Sequence, residues 1–281
     1  MSQSIKMAAI LTASAACSFA QWVNYRDPAT PRTRDGKPNL TAAAPRAANG
    51  KPDLSGVWQV EPTPADELKR LYGDLSALST LGDDPRSMSK YVFNIFADLP
   101  RGEEPVRPEA VRILRERAKG GGANLPTTLC LPGGLPFIYM IPTAFKVIQT
   151  PKLIAIIHEG DGTFRQIYTD GRKHPADPQP LWMGYSVGTW QADTLVVDTV
   201  GFNDKSWLDG SGHPHSDALH LTERIRRRDF GHLDMEVTID DPKMYTRALT
   251  IKLTESLQPD SDILESICAE DEKDRVHLEK R

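Results

Sequence analysis

Three groups of residues in this sequence have the types and spacing that chemistry requires. The first is His213, His215 and His220, with Asp209 and Asp217 beside them in the chain. Residues two apart on a strand share a face, so His213 and His215 could both ligate a divalent metal, with a carboxylate completing the set. Pro214 between them favours a loop, where the same histidines make ordinary hydrogen bonds or act as metal-free acid/base groups. The second group is Glu159, Arg165, Arg172, Glu223 and Arg224, with His215 shared from the first. Glu159 ends the apolar run Leu153-Ile154-Ala155-Ile156-Ile157, and Glu223 interrupts an otherwise apolar strand face. A carboxylate on a buried face is costly unless paired, so each is half of an internal ion pair or a site residue with a raised pKa. The third group is aromatic: Trp182, Tyr185, Trp190, Phe202 and Trp207 either pack a core or line the mouth of a pocket.

As an enzyme site, these groups suggest His215 as acid or base with Glu223 as its partner, and Glu159 and Asp209 as further carboxylates. Arg165 or Arg224 would clamp an oxyanion or carboxylate, and Arg172, Trp190, Trp207 and Asn203 would complete the ligand contacts. Gly184-x-Ser186-x-Gly188, followed by Asp209 and His215, has the spelling of a nucleophile elbow and its triad. That mechanism needs a strand–turn–helix around the serine, whereas a hairpin and another strand follow here. The glycines read better as easing a strand past an aromatic neighbour.

The elements that would position these residues are mostly strands. Period-two alternation marks candidates at 136–141, 144–149, 153–159, 164–169, 183–190, 194–200, 218–228, 232–240 and 247–256, joined by turns such as Gly160-Asp161-Gly162. No helices of 10–15 residues alternate with them, which argues against a parallel α/β sheet. The fold class is mostly β: an antiparallel meander closing into a lipocalin-like barrel or a sandwich. One hairpin can be registered residue by residue, turning at Asp229-Phe230-Gly231. It pairs Arg226 with Asp234, Arg224 with Glu236 and His220 with Asp240 on one face, and Ile225 with Met235 and Leu221 with Ile239 on the other. Glu223 then lies opposite Val237 on the apolar face.

Ahead of the 126–281 β domain, residues 21–55 form an extended, Pro-rich arm. It carries a short repeat, Asp35-Gly36-Lys37-Pro38-Asn39-Leu40 and Asn49-Gly50-Lys51-Pro52-Asp53-Leu54, and should dock through Leu54, Val57 and Trp58. The 56–125 segment reads as helical. Thr63-Pro64 begins a helix with Leu68, Leu71, Leu75 and Leu78 as its stripe, Ser87 to Phe96 forms a second, and Pro108 to Lys119 a third, stopped by Gly120-Gly121-Gly122. Residues 1–20 read as a signal peptide, with Lys6, an apolar stretch from Met7 to Ala16, and Ser18-Phe19-Ala20 before Gln21. Its removal takes Cys17 and leaves Cys130 and Cys268, which a disulfide joins in an oxidising compartment unless both stay as buried thiols. The net charge of −4, with no basic stripe, argues against nucleic acid as a partner, and no apolar run is long enough for a transmembrane helix.

Gly50-Lys51-Pro52-Asp53-Leu54-Ser55-Gly56-Val57-Trp58, Gly184 to Trp190, Asp193 to Val197, Gly201-Phe202-Asn203-Asp204, Gly212 to Ser216 and Thr238 to Pro242 together resemble a large family of uncharacterised exported bacterial proteins. The likeness runs over most of residues 48–275 and implies no particular reaction. Ala192 stands where that family tends to have Gly, which implies a less tight turn after Trp190. The expectation is a periplasmic or secreted protein that acts on a small organic molecule by acid/base chemistry in a barrel cavity, as a hydrolase or lyase without a cofactor. A lipocalin-like binding protein without catalysis and an envelope assembly factor gripping a partner through its arm are the alternatives.

Overall fold

Nine strands carry the alternation of inward and outward side chains: β1 (Gly56–Val60), β2 (Phe145–Gln149), β3 (Leu153–His158), β4 (Phe164–Tyr168), β5 (Tyr185–Gln191), β6 (Thr194–Val200), β7 (His220–Arg227), β8 (His232–Asp240) and β9 (Leu249–Leu257). In this computed structural model, which describes residues 26–73 and 87–268, they form a closed barrel in sequence order, with β1 pairing β9. Closure leaves no strand edge unpaired. The meander is antiparallel except at β4–β5, which pair in parallel through Ile167 with Ser186. The sixteen residues from 169 to 184 carry the chain back along the barrel to make that pairing, where a tight hairpin would have forced it antiparallel.

The β7–β8 register is the expected one throughout, from His220↔Asp240 to Arg227↔Leu233. The ion pairs on its outer face are not. Glu236 reaches Lys252 on β9 at 3.0 Å and Asp234 reaches Arg228 at 2.6 Å, because several cations can approach one exposed carboxylate. Two segments change class. Residues 136–141, expected as a strand, form a 3-10 turn at Phe137–Tyr139 whose side chains are buried. Residues 56–60, expected at the start of the helical 56–125 segment, are the strand that closes the barrel. Among the helices, α1 (Ala65–Tyr72) and α2 (Pro108–Ala118) form, whereas 87–96 gives only a 3-10 turn at Lys90–Val92. The signal-peptide segment, Leu75 and Leu78 lie outside the described residues. No helix among those described is long and apolar enough to cross a membrane.

Side chains fill the barrel. Val147, Ile154, Ile156, Ile167, Leu195, Ile225 and Met235 converge with Tyr139 and Phe145 around an apolar cavity with room for about one water molecule. The arm covers one end. Its two repeats fold alike: Thr33 N donates to Lys37 O and Ala47 N to Lys51 O, while Arg32 and Arg46 each donate to the glycine carbonyl of their own turn, Gly36 and Gly50. Each arginine also reaches a carboxylate beyond the arm, Arg32 to Asp260 and Arg46 to Asp193. Leu54 follows into the core, and Leu40 accepts a backbone hydrogen bond from Gly231 at the β7–β8 turn. The β5–β6 connection is a tight two-residue turn after all, with Gln191 paired to Thr194. Ala192 adopts the left-handed φ of 51° that a glycine would take without cost. Cys130 and Cys268 are joined as a disulfide, with Cα atoms 5.5 Å apart.

Candidate functional site

The end of the barrel away from the arm is covered by the 201–219 loop between β6 and β7, with α2 and the 88–99 segment packed on it. Short-range bridges shape this loop. Trp207 pairs with Pro214, and Leu208 N donates to His213 O, so the chain doubles back over Asp209-Gly210-Ser211-Gly212. Asp209 is the centre of that turn and is fully buried. Its Oδ1 accepts the backbone N–H groups of Ser211, Gly212 and His213 at 3.1–3.2 Å, and its Oδ2 accepts Ile95 N at 2.9 Å. The same Oδ2 receives Nδ1 of His213 at 2.5 Å. A carboxylate accepts, so Nδ1 carries the proton, and in the neutral ring Nε2 is left as the basic nitrogen. That nitrogen makes no hydrogen bond among the described residues, and the His213 side chain keeps 11% of its surface exposed. Phe96 sets the ring plane by an edge contact at 4.9 Å between centroids.

His215 lies deeper and has both nitrogens engaged. Nδ1 is 3.1 Å from the Ser216 carbonyl, and Nε2 is 2.7 Å from Ser206 Oγ. Burial pushes its pKa down, against the pull of the Ser216 carbonyl and Asp241, so the ring is neutral near pH 7. The carbonyl fixes the proton on Nδ1, and Ser206 therefore donates to Nε2. Gly134, at φ 74°, rests directly on Ser206: a Cβ there would lie 2.4 Å from the serine Cβ and Oγ. The rest of the loop is pinned from the 240s, by Asp241 holding Ser216 N and Oγ and by Tyr245 donating to Pro214 O at 2.6 Å.

The second expected group does not join this end. Glu223 and Arg165 form an ion pair inside the barrel with side chains 1% exposed. Arg165 Nε donates to Ser186 Oγ, Nη1 to Tyr139 Oη and Glu223 Oε1, and Nη2 to Thr199 Oγ1 and Glu223 Oε2, so all five N–H groups are used. Ser186 thus sits mid-strand on an arginine and makes no contact with Asp209 or His215, and the elbow pattern has no turn to present it. Gly184 instead meets Phe202, whose ring would lie 2.9 Å from a Cβ at that position.

Glu159 lies outside the barrel, accepting Leu264 N at 3.2 Å; its neighbour His158 is the one that points in. Arg172 is on the outer face, paired with Asp170 and lying over the Tyr168 ring at 3.8 Å. Arg224 is also outside, reaching Gln191. Trp190 sits near the β5–β6 turn, Asn203 closes a local turn on Lys205 N, and Trp207 is buried in the loop. His220 is separated from His213 and His215: it and His174 flank Asp198 on the outer wall. Among the described residues no group of three or more histidine, cysteine or carboxylate side chains is arranged to hold a metal ion.

Sequence reasoning missed four groups. Tyr139 was hidden in a supposed strand, and Ser206 carries no sequence signal. Arg117, in the last turn of α2, donates Nη1 to Gly212 O at 3.1 Å and lies over the Trp207 ring at 4.9 Å. Glu255 could have been found, since it breaks the inward series Leu249, Ile251, Leu253, Leu257 on β9. Comparison of the chain with protein-family models, curated proteins and solved structures gave no match.

Proposed function

We propose that this protein is an exported enzyme that acts on a small organic molecule by acid/base chemistry at the loop-covered end of its barrel. His213 is the group that exchanges the proton, and Asp209 is the carboxylate that orients it. The observation carrying this reading is the contrast between two neighbouring histidines. His213 has Nδ1 locked on a buried, fully hydrogen-bonded carboxylate and Nε2 open, which is the arrangement a general base needs. His215, the histidine favoured from sequence, has both nitrogens occupied and serves with Ser206 as support behind it. The Arg165–Glu223 pair belongs to the barrel interior and takes no part. Hydrolysis or elimination both fit a base of this kind. Export is supported by the Cys130–Cys268 disulfide, which persists in oxidising compartments.

The test is incubation of the protein with a small-molecule extract of the producing cells' medium, followed by mass spectrometry of what disappears and what forms. Wild type should convert at least one compound, and His213→Gln, with an unchanged circular dichroism spectrum, should not. Conversion at an equal rate by His213→Gln would overturn the assignment. A compound that co-purifies and returns unchanged would make this a binding protein instead.

A further inference from the structure

We infer that Arg117 is the carboxylate-recognising group of this site, so that the molecule acted on carries a carboxylate. This deepens the proposed function and rests on it for the identity of the site. Arg117 is half-buried, yet no carboxylate lies within ion-pair distance among the described residues, and only one of its five N–H groups is used, on Gly212 O.

Arg227 shows how this fold satisfies a buried arginine for structural ends. It too has no carboxylate partner, but its nitrogens are bonded to the carbonyls of Asp53, Ser55, Asp229 and Phe230. Arg117 has no such set. Burial holds its pKa down to about 10, with Tyr245, Asp209 and Asp204 pulling the other way. Its unused N–H groups are not among the buried unpaired atoms, so they open to solvent, where an anionic ligand can reach them.

Its position fits that use. Arg117 holds the carbonyl of the residue before His213 and lies over the ring of Trp207, which bridges the residue after it, Pro214. The guanidinium is thereby fixed beside the loop turn that presents His213. A planar fork fixed over an indole suits a planar carboxylate. The negative field of Asp204 and Asp209 on a single cation disfavours a dianion, so phosphate is the poorer match.

Amide and indole NMR shifts of the ¹⁵N-labelled protein, titrated with benzoate, phosphate or chloride at constant ionic strength, test this. Benzoate should give saturable shifts at Gly212, His213 and the Trp207 indole, with phosphate weaker and chloride without effect. Arg117→Gln should weaken benzoate at least about tenfold, a difference of about 1.4 kcal/mol. Arg117→Lys, which keeps the charge but not the fork, should fall between and guards against a folding defect in the Gln variant. Unsaturable benzoate shifts, tighter phosphate binding, or an unchanged Arg117→Gln titration overturns the inference. Benzoate binding through Arg117 with no turnover dependent on His213 would instead fail the proposed function and leave this inference standing.

Discussion

Replacing Glu223 by Gln should unfold much of this protein's stability margin without touching its site. The side chain keeps its shape, but the Arg165 cation is left uncompensated in a barrel interior where both residues are 1% exposed. Removing one partner of such a buried pair costs about 3–5 kcal/mol, a large part of the roughly 5–15 kcal/mol that holds a domain folded. Removing the pair together is different. In Arg165→Met/Glu223→Leu no charge remains, and the Ser186 and Thr199 hydroxyls still bond each other at 3.0 Å. Only the Tyr139 hydroxyl is then left with no hydrogen-bond partner, a cost of about 1–3 kcal/mol. The double variant should therefore be more stable than Glu223→Gln, and adding Tyr139→Phe should recover more. Urea unfolding with the disulfide intact measures all four proteins. A Glu223→Gln protein with wild-type stability and lost turnover would refute this reasoning and return Glu223 to the catalytic role expected from sequence.

Three further outcomes follow from single groups. Both oxygens of Glu255 are buried without a hydrogen-bond partner among the described residues, and burial, aided by Glu61, raises its pKa well above the usual glutamate range. The folded state then holds a proton that the unfolded chain releases, so this residue lowers stability as pH rises above the ordinary glutamate value, by at most about 1.4 kcal/mol per pH unit. The stability of Glu255→Gln relative to wild type should grow between about pH 5 and 8, and parallel curves would refute it. Ala192→Gly should raise the urea midpoint, worth about 1 kcal/mol, by relieving the left-handed alanine; a lower midpoint would contradict the turn geometry. Reducing Cys130–Cys268, which spans 138 residues, should lower the melting temperature by an amount corresponding to about 2–5 kcal/mol, and an unchanged melting curve would count against it.

What could be read in advance depended on contrast within each strand. The β7–β8 hairpin was legible to the residue because charges and apolar groups alternate in both strands, so only one register satisfies both faces. The same contrast marked Glu223 as inward-facing. The run Leu153 to Ile157 has no polar residue to set its phase, so Glu159 and His158 exchanged places. β1 was missed because its partners, β2 and β9, lie far away in sequence and five residues carry little pattern of their own. The loop histidines escaped for a different reason. Two-residue spacing puts groups on one face only where the backbone is extended, and the fold-back of Trp207 onto Pro214 sends His213 to Asp209 and His215 to Ser206. Arg117 comes to the loop from a helix some ninety residues away, through packing that no local pattern announces.

The central claim is that His213, and not His215, presents a free basic nitrogen on which turnover depends. Diethyl pyrocarbonate acylates the unprotonated, unbonded nitrogen of an accessible imidazole, and peptide mass spectrometry reads the extent at each histidine. Near neutral pH, His213 should be modified while His215 is protected, with turnover of the converted compound lost in proportion to the His213 adduct. Rapid modification of His215 with His213 untouched, or full turnover from protein fully modified at His213, would contradict the account.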